Sequence, residues 1–76
     1  MAVKAYVLIE ANIGKTREGV EAIRKLRGVV SVDTVTGPYD AIAVIQAETM
    51  SEIGDLVVSM VHAVAGVSRT VTCIAV

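Results

Sequence analysis

The chain repeats itself. Ala5-Tyr6-Val7-Leu8-Ile9-Glu10-Ala11 returns half a chain later as Ala41-Ile42-Ala43-Val44-Ile45-Gln46-Ala47. Both segments are built from aliphatic and β-branched residues, the composition of buried strands. Each is followed by a stretch with helical spacing, then by a Gly-Val step and another β-type segment: Gly28-Val29 in the first half, Gly66-Val67 in the second. Two tandem βαβ units predict one α+β domain over residues 1–76 with the order β-α-β-β-α-β.

The helical stretches carry their own start and stop signals. In the first, Val20, Ile23 and Leu26 recur at three-residue spacing beside Gly19 and Ala22, while Lys15, Arg17, Glu18, Glu21, Arg24, Lys25 and Arg27 fill the solvent side. Glu21 and Lys25 are spaced for an i,i+4 ion pair, worth about 0.2–0.5 kcal/mol. Asn12 and Gly14 read as the strand-to-helix turn, and Gly28 stands where a left-handed C-terminal cap belongs. The second helix opens on Thr49-x-x-Glu52, the spacing of a reciprocal capping box. Ile53, Leu56, Val57, Met60 and Val64 follow as an apolar stripe, and Gly66 closes it.

Composition adds a problem that the fold must solve. Of 76 residues, 54% are hydrophobic, and the mean hydropathy is +0.66. A domain this short buries only about 60% of its unfolded surface, and scaffolds of this size are commonly held by disulfides, metal or oligomerisation. Cys73 is the only cysteine and His62 the only histidine, which excludes an internal disulfide and a structural zinc site. Oligomerisation remains. The strands agree: if two helices cover one face of an antiparallel sheet, the other face should turn polar. Instead Ala41, Ala43, Ile45 and Ala47 oppose Ile42 and Val44, and Ala5, Val7 and Ile9 oppose Tyr6 and Leu8. The face away from the helices is therefore expected to pack on a second copy in a two-fold, isologous dimer.

Membrane insertion is the rival explanation of the hydrophobicity. The longest stretch without Asp, Glu, Lys or Arg runs from Leu56 to Ser68, well short of the roughly 20 residues needed to span. The N-terminal apolar run is broken by Lys4 and Glu10, so it lacks a signal-peptide pattern. A soluble cytoplasmic protein is expected, and a net charge of −1 leaves no footprint for nucleic acid.

Between the halves lies Thr36-Gly37-Pro38-Tyr39-Asp40, with the only proline and one of two tyrosines. One reading is structural: Gly37 and Pro38 reverse the chain, Tyr39 covers a core edge and Asp40 bonds nearby N–H groups. The other is a ligand pocket, in which backbone N–H groups near Gly37 bind a carboxylate, Asp40 binds an ammonium and Tyr39 forms a wall. An α-amino acid carries those two charges. In the last strand, Thr70 and Thr72 share a face and offer hydroxyls to a ligand, or serve as ordinary cross-strand threonines. Arg69 reads as a solvated charge, His62 as a residue of the last helical turns, and Cys73 as a small hydrophobe. Gly14-Lys15-Thr16 ends like a phosphate-binding loop but has Ile9 where that motif needs glycine. No nucleophile–base constellation assembles, and neither a cofactor nor a metal is expected.

Val35 to Asp40, preceded by Leu26-Arg27-Gly28-Val29 and joined with Gly66-Val67-Ser68-Arg69-Thr70-Val71-Thr72, resembles the effector domain of the Lrp/AsnC regulators, also called the regulation-of-amino-acid-metabolism domain. The likeness runs from Ala5 to Val76. It implies a ferredoxin-like fold, a four-stranded antiparallel sheet with two helices on one face that pairs into a dimeric α+β barrel. It also implies octamers or decamers with amino-acid effectors held between dimers. By the same resemblance Gly37, Pro38, Tyr39 and Asp40 form the effector loop, and Thr70 and Thr72 belong to the last-strand motif. Full regulators carry an N-terminal helix-turn-helix, whereas this chain starts at its first strand and resembles the stand-alone members. Direct DNA binding is then not expected, and the reading that remains is an amino-acid-binding oligomer that either co-assembles with a full-length regulator or tunes one.

The competing reading is a small enzyme of the dimeric α+β-barrel type, for which Tyr6, Glu10 and His62 are the available titratable candidates. RNA recognition is disfavoured by the absence of Phe and of a basic face. A metallochaperone fails for want of Cys-x-x-Cys.

Overall fold

The computed structural model describes residues 2–76, with the side chains of residues 61–63 outside the description. The order is β1 (Val3–Ala11), α1 (Thr16–Arg24), β2 (Val29–Thr34), β3 (Ala41–Ala47), α2 (Met50–Ala63) and β4 (Val67–Ile74). The sheet runs β2-β3-β1-β4 with every neighbour antiparallel. This is the ferredoxin-like βαββαβ arrangement.

The duplicated segments are its two central strands, and they pair with each other. Ala5 faces Ile45 while their repeat counterparts, Ala41 and Ile9, also face each other, so a local two-fold passes through the Val7–Ala43 pair. Alternation then assigns the faces. Ala5, Val7, Ile9, Ala41, Ala43 and Ile45 are buried under the helices, in one core with Val20 and Ile23 of α1, Ile53 and Met60 of α2, Val32 and Val64.

Two glycines brace one half against the other. Gly28, at φ +95°, accepts a hydrogen bond from Gln46 N at 2.9 Å. Gly66, at φ +96°, accepts one from Asn12 N at 2.7 Å. Thus the end of each helix is tied to the strand end of the other unit. Both positions need glycine: a Cβ on Gly28 would lie 3.1 Å from Gln46 O, and one on Gly66 would lie 2.7 Å from Lys15 Cβ.

Three local details depart from the sequence expectation. α1 stops at Arg24, and Leu26 N turns back to Ile23 O at 3.0 Å, a tightened last turn that carries Leu26 beyond the helix. Glu21 pairs with Arg24 at 3.4 Å, an i,i+3 pair in place of the i,i+4 pair with Lys25. Arg24 is already drawn toward β2, where it donates to Val32 O at 2.9 Å. At α2, Thr49 Oγ1 accepts from Glu52 N at 3.1 Å, but the Glu52 carboxylate accepts from Glu48 N, one residue beyond the reciprocal box.

The other sheet face has no helix over it. Register places Tyr6 beside Val44 and Cys73, and Leu8 beside Ile42 and Val71. Around this apolar centre stand Lys4, whose ammonium lies 5.2 Å from the Tyr6 ring, Asp33, and the Glu10–Arg69 pair at 2.8 Å. Among the described residues no helix is long and apolar enough to cross a membrane.

Candidate functional site

The loop from Val35 to Asp40 sits at the end of the sheet where β1 finishes and β4 begins. Asp40 holds it there three times over. Its N–H donates to Ile9 O at 2.8 Å, its carbonyl accepts from Val35 N at 3.0 Å, and its Oδ2 accepts from Ala11 N at 2.8 Å. The last contact falls at the register shift between Glu10 and Ala11, where a bulge disrupts the regular ladder and a side chain is a natural partner for the main chain. Part of the structural reading of Asp40 is therefore real, although its partner is a neighbouring strand and not its own turn. An ionised carboxylate has acceptor capacity for several donors, so this bond leaves most of it open.

The rest of the loop is open. Gly37, at φ +143°, has no heavy atom within 4 Å of where a Cβ would stand. Pro38 is exposed, and Tyr39 and Asp40 are half-buried. A partner can approach the backbone at Gly37 without meeting a side chain.

Thr70 and Thr72 stand elsewhere. Thr70 faces Ile9, which in turn faces Ala41, so Thr70 lies in the row next to Asp40 but two strands away, about 10 Å at ordinary strand spacing. Thr72 faces Val7, one step deeper. Both share the helix-covered face with Val7 and Ile9 and are half-buried on the edge strand. The structure brings Gly37, Pro38, Tyr39 and Asp40 together, and brings Thr70 to the same end of the sheet. It does not join the threonine pair to the loop within one protomer.

Arg69 is paired, not simply solvated: it binds Glu10 across the β1–β4 register. Next to it Ser68 Oγ donates to Glu10 O at 3.0 Å. Opposite charges directly across an antiparallel pair are the signal for such a contact, but it becomes visible only once the register is known. The sequence reading also missed Ile13, fully exposed in the β1–α1 loop at the same end of the sheet. Of the enzyme candidates, Tyr6 and Glu10 share the open face of β1, with Glu10 committed to Arg69, while the side chain of His62 lies outside the described residues. Among the described residues no group of three His, Cys, Asp or Glu is placed to hold a metal ion.

Among the described residues, open clefts border the helices. One of about 650 Å³ lies between the end of α1 and the start of α2, lined by Arg27, Gly28, Glu52, Asp55, Leu56 and Ser59 among others. The second, about 300 Å³, is lined by Thr16, Arg17, Val20, Glu21, Arg24 and Thr34. Neither includes the Gly37–Asp40 loop or the threonines.

Comparison with known proteins places this geometry. Residues 4–76 match the family model described as the Lrp/AsnC ligand binding domain. An uncharacterized HTH-type transcriptional regulator of Pyrococcus horikoshii is 34% identical over 73 residues, covering 92% of this chain and 49% of the relative. The chain thus spans about half the length of the curated relatives it matches. Among solved structures, TTHA0845 from Thermus thermophilus superposes with a TM-score of 0.90 at 35% identity, covering 97% of this chain and 92% of that one. The Neisseria meningitidis transcriptional regulator NMB0573, in complex with L-Met, shares the fold at a TM-score of 0.84 and 20% identity, covering 97% of this chain and 49% of that one.

Proposed function

The chain belongs to the Lrp/AsnC ligand-binding-domain family, and on that premise we propose that it is an oligomeric, non-enzymatic receptor for a small amino-acid effector, its site centred on Gly37, Pro38, Tyr39 and Asp40. The observation that carries the reading is the state of that loop. The Asp40 carboxylate is fixed in place by Ala11 N yet retains acceptor capacity, beside a Gly37 backbone with empty space around it. A held anion beside accessible main-chain N–H groups is a complementary pair for an ammonium and a carboxylate. The L-Met complex of the Neisseria regulator shows such a ligand on a protein of the same fold.

The site is completed between copies. The loop is open in the protomer, and the helix-free sheet face presents an apolar centre, Tyr6, Leu8, Ile42, Val44 and Val71, inside a charged rim. That is the anatomy of a protein interface, and it supports a homodimer through the sheet, with further assembly to an octamer or decamer. In this reading Thr70 and Thr72 contribute to the site of a neighbouring copy, since their own loop is two strands away. The protein acts in the cytoplasm on amino-acid-responsive transcription by assembling with regulators of its family.

Calorimetric titration with each common amino acid tests this, using Asp40→Asn as the decisive variant. Asparagine keeps an oxygen for Ala11 N and removes the charge. A charge-assisted bond is worth about 1.5–3 kcal/mol, so the variant should bind at least roughly tenfold more weakly while melting close to the parent. Binding by none of the amino acids, or equal affinity in the variant, would overturn the proposal.

A further inference from the structure

The turn that joins β1 to α1 stands at the same end of the sheet as the Gly37–Asp40 loop. Lys15 N donates to Asn12 O at 2.9 Å, and Gly14 lies at φ +79°. That is a type II turn from Asn12 to Lys15, whose third position needs a positive φ and takes glycine. Asn12 N donates to Gly66 O at 2.7 Å, so the turn is closed on itself and pinned to the second half of the chain. Asn12 and Gly14 are ordinary turn residues. Ile13 between them is not: the turn has no use for a β-branched side chain. It is 103% exposed, where Val30, Met50 and Val58 are 58%, 57% and 55% exposed. A rigid turn thus holds an aliphatic side chain out into water, where it packs on nothing in its own chain.

A single exposed aliphatic residue is common on protein surfaces, so the place of this one matters. Ile13 follows Ala11 by two residues, and Ala11 N is the group that the Asp40 carboxylate holds. Two residues of chain span at most about 7 Å. On the loop side Pro38 is exposed and Tyr39 half-buried, which adds apolar surface. Charge is scarce beside it. Among the described residues Lys15 pairs with Glu18 at 3.6 Å, and Glu10 pairs with Arg69 at 2.8 Å on the helix-free face. Arg17 lines the cleft with Arg24 and Thr34, which contains no residue of the loop. An effector whose ammonium is held by Asp40 would offer its own side chain to Ile13 and Pro38. A charged side chain would meet no free counter-charge there, and an aliphatic one would cover apolar surface on both molecules.

We infer, resting on the reading of the Gly37–Asp40 loop as the effector site, that Ile13 is its specificity-determining residue and that the effector is an amino acid with an aliphatic side chain. Ile13 packs on that side chain in the same copy whose Asp40 holds the ammonium. Because the turn is already closed by its own hydrogen bonds, binding does not have to order it, which favours affinity.

Calorimetric titration of the parent, Ile13→Ala and Ile13→Lys with L-leucine, L-alanine and L-glutamate tests it. Alanine carries the same ammonium and carboxylate without the longer side chain. The parent should bind leucine about tenfold or more tighter than alanine, and glutamate more weakly than leucine. Ile13→Ala should lose most of the preference for leucine and keep the parent affinity for alanine. Ile13→Lys should prefer glutamate to leucine. At a fully exposed turn position neither substitution should change the melting temperature or the mass of the assembly. A leucine preference that survives in Ile13→Ala, an Ile13→Lys variant that still favours leucine, or a parent that favours glutamate would each overturn the inference and leave the effector reading standing. A preference lost together with a change in assembly mass would put Ile13 in a contact between copies, and would overturn it too. Binding of no amino acid by the parent would overturn the effector reading and this inference with it.

Discussion

The two halves of this molecule share a backbone and differ in almost everything exposed. β1–α1–β2 and β3–α2–β4 place Ile9 and Ile45, Val7 and Ala43, and Gly28 and Gly66 in corresponding roles, and all but the two glycines are nine-tenths or more buried. Outside that shared frame α1 is covered in charge, while α2 carries an apolar stripe and acids alone. Their starts differ too: α2 is capped by the Thr49 side chain, whereas Lys15 gives α1 no side-chain cap bond. What the halves hold in common is what builds the sheet and its core. Where they diverge, the surface is free to take on partners, and the Gly37–Asp40 loop lies at the junction.

If the core is shared equally, truncating equivalent residues should cost equally. Ile9→Ala and Ile45→Ala each remove a fully buried side chain and should destabilise by about 2–5 kcal/mol, within about 1 kcal/mol of each other in urea unfolding. A large gap would show that one half dominates the core. Next are the braces. Gly28→Ala and Gly66→Ala both force a Cβ onto a positive φ, at about 1–2 kcal/mol for the backbone alone, and Gly66→Ala should be the worse because its Cβ meets Lys15 at 2.7 Å. The reverse order of melting temperatures would mean that the Gly28 brace, against Gln46 O, is the less yielding.

Asp40 separates folding from binding within the junction. Asp40→Ala strips the partner from Ala11 N and should cost about 1–3 kcal/mol, while Asp40→Asn should restore most of that stability and none of the ligand affinity. The smallest contrast is between the helix starts. Thr49→Ala should cost about 1 kcal/mol, but Lys15→Ala removes only an exposed pair with Glu18 at 3.6 Å and should stay within about 0.5 kcal/mol of the parent. Equal losses would erase the capping difference between the halves.

The fold was legible because its signals are local and stated twice. Alternation at residues 5–11 and 41–47, helical spacing at Val20 and Ile23 and at Ile53 and Met60, and the two Gly-Val steps each fix an element without knowledge of the others. The doubly apolar character of Tyr6, Leu8, Ile42 and Val44 was legible for the same reason. The contacts that shape the candidate site were not. Asp40 meets Ala11 across 29 residues, at a bulge whose position depends on the β1–β4 register. Glu10 meets Arg69 through the same register. That Thr70 and Thr72 share a face follows from spacing alone, but β4 is an edge strand with a mixed burial pattern, so its composition does not say which face. The Glu21 partner was misjudged because Arg24 is recruited by Val32 O, a tertiary contact that helix spacing does not encode.

Native mass spectrometry tests most directly whether this is an effector receptor completed between copies, because it weighs each assembly and counts the ligands on it. With the tightest-binding amino acid present, ligand should appear only on species of more than one copy, and at the same ligand concentration the same species of Asp40→Asn should carry far less of it. An amino acid carried equally well by the monomer, or by no species at all, would contradict it.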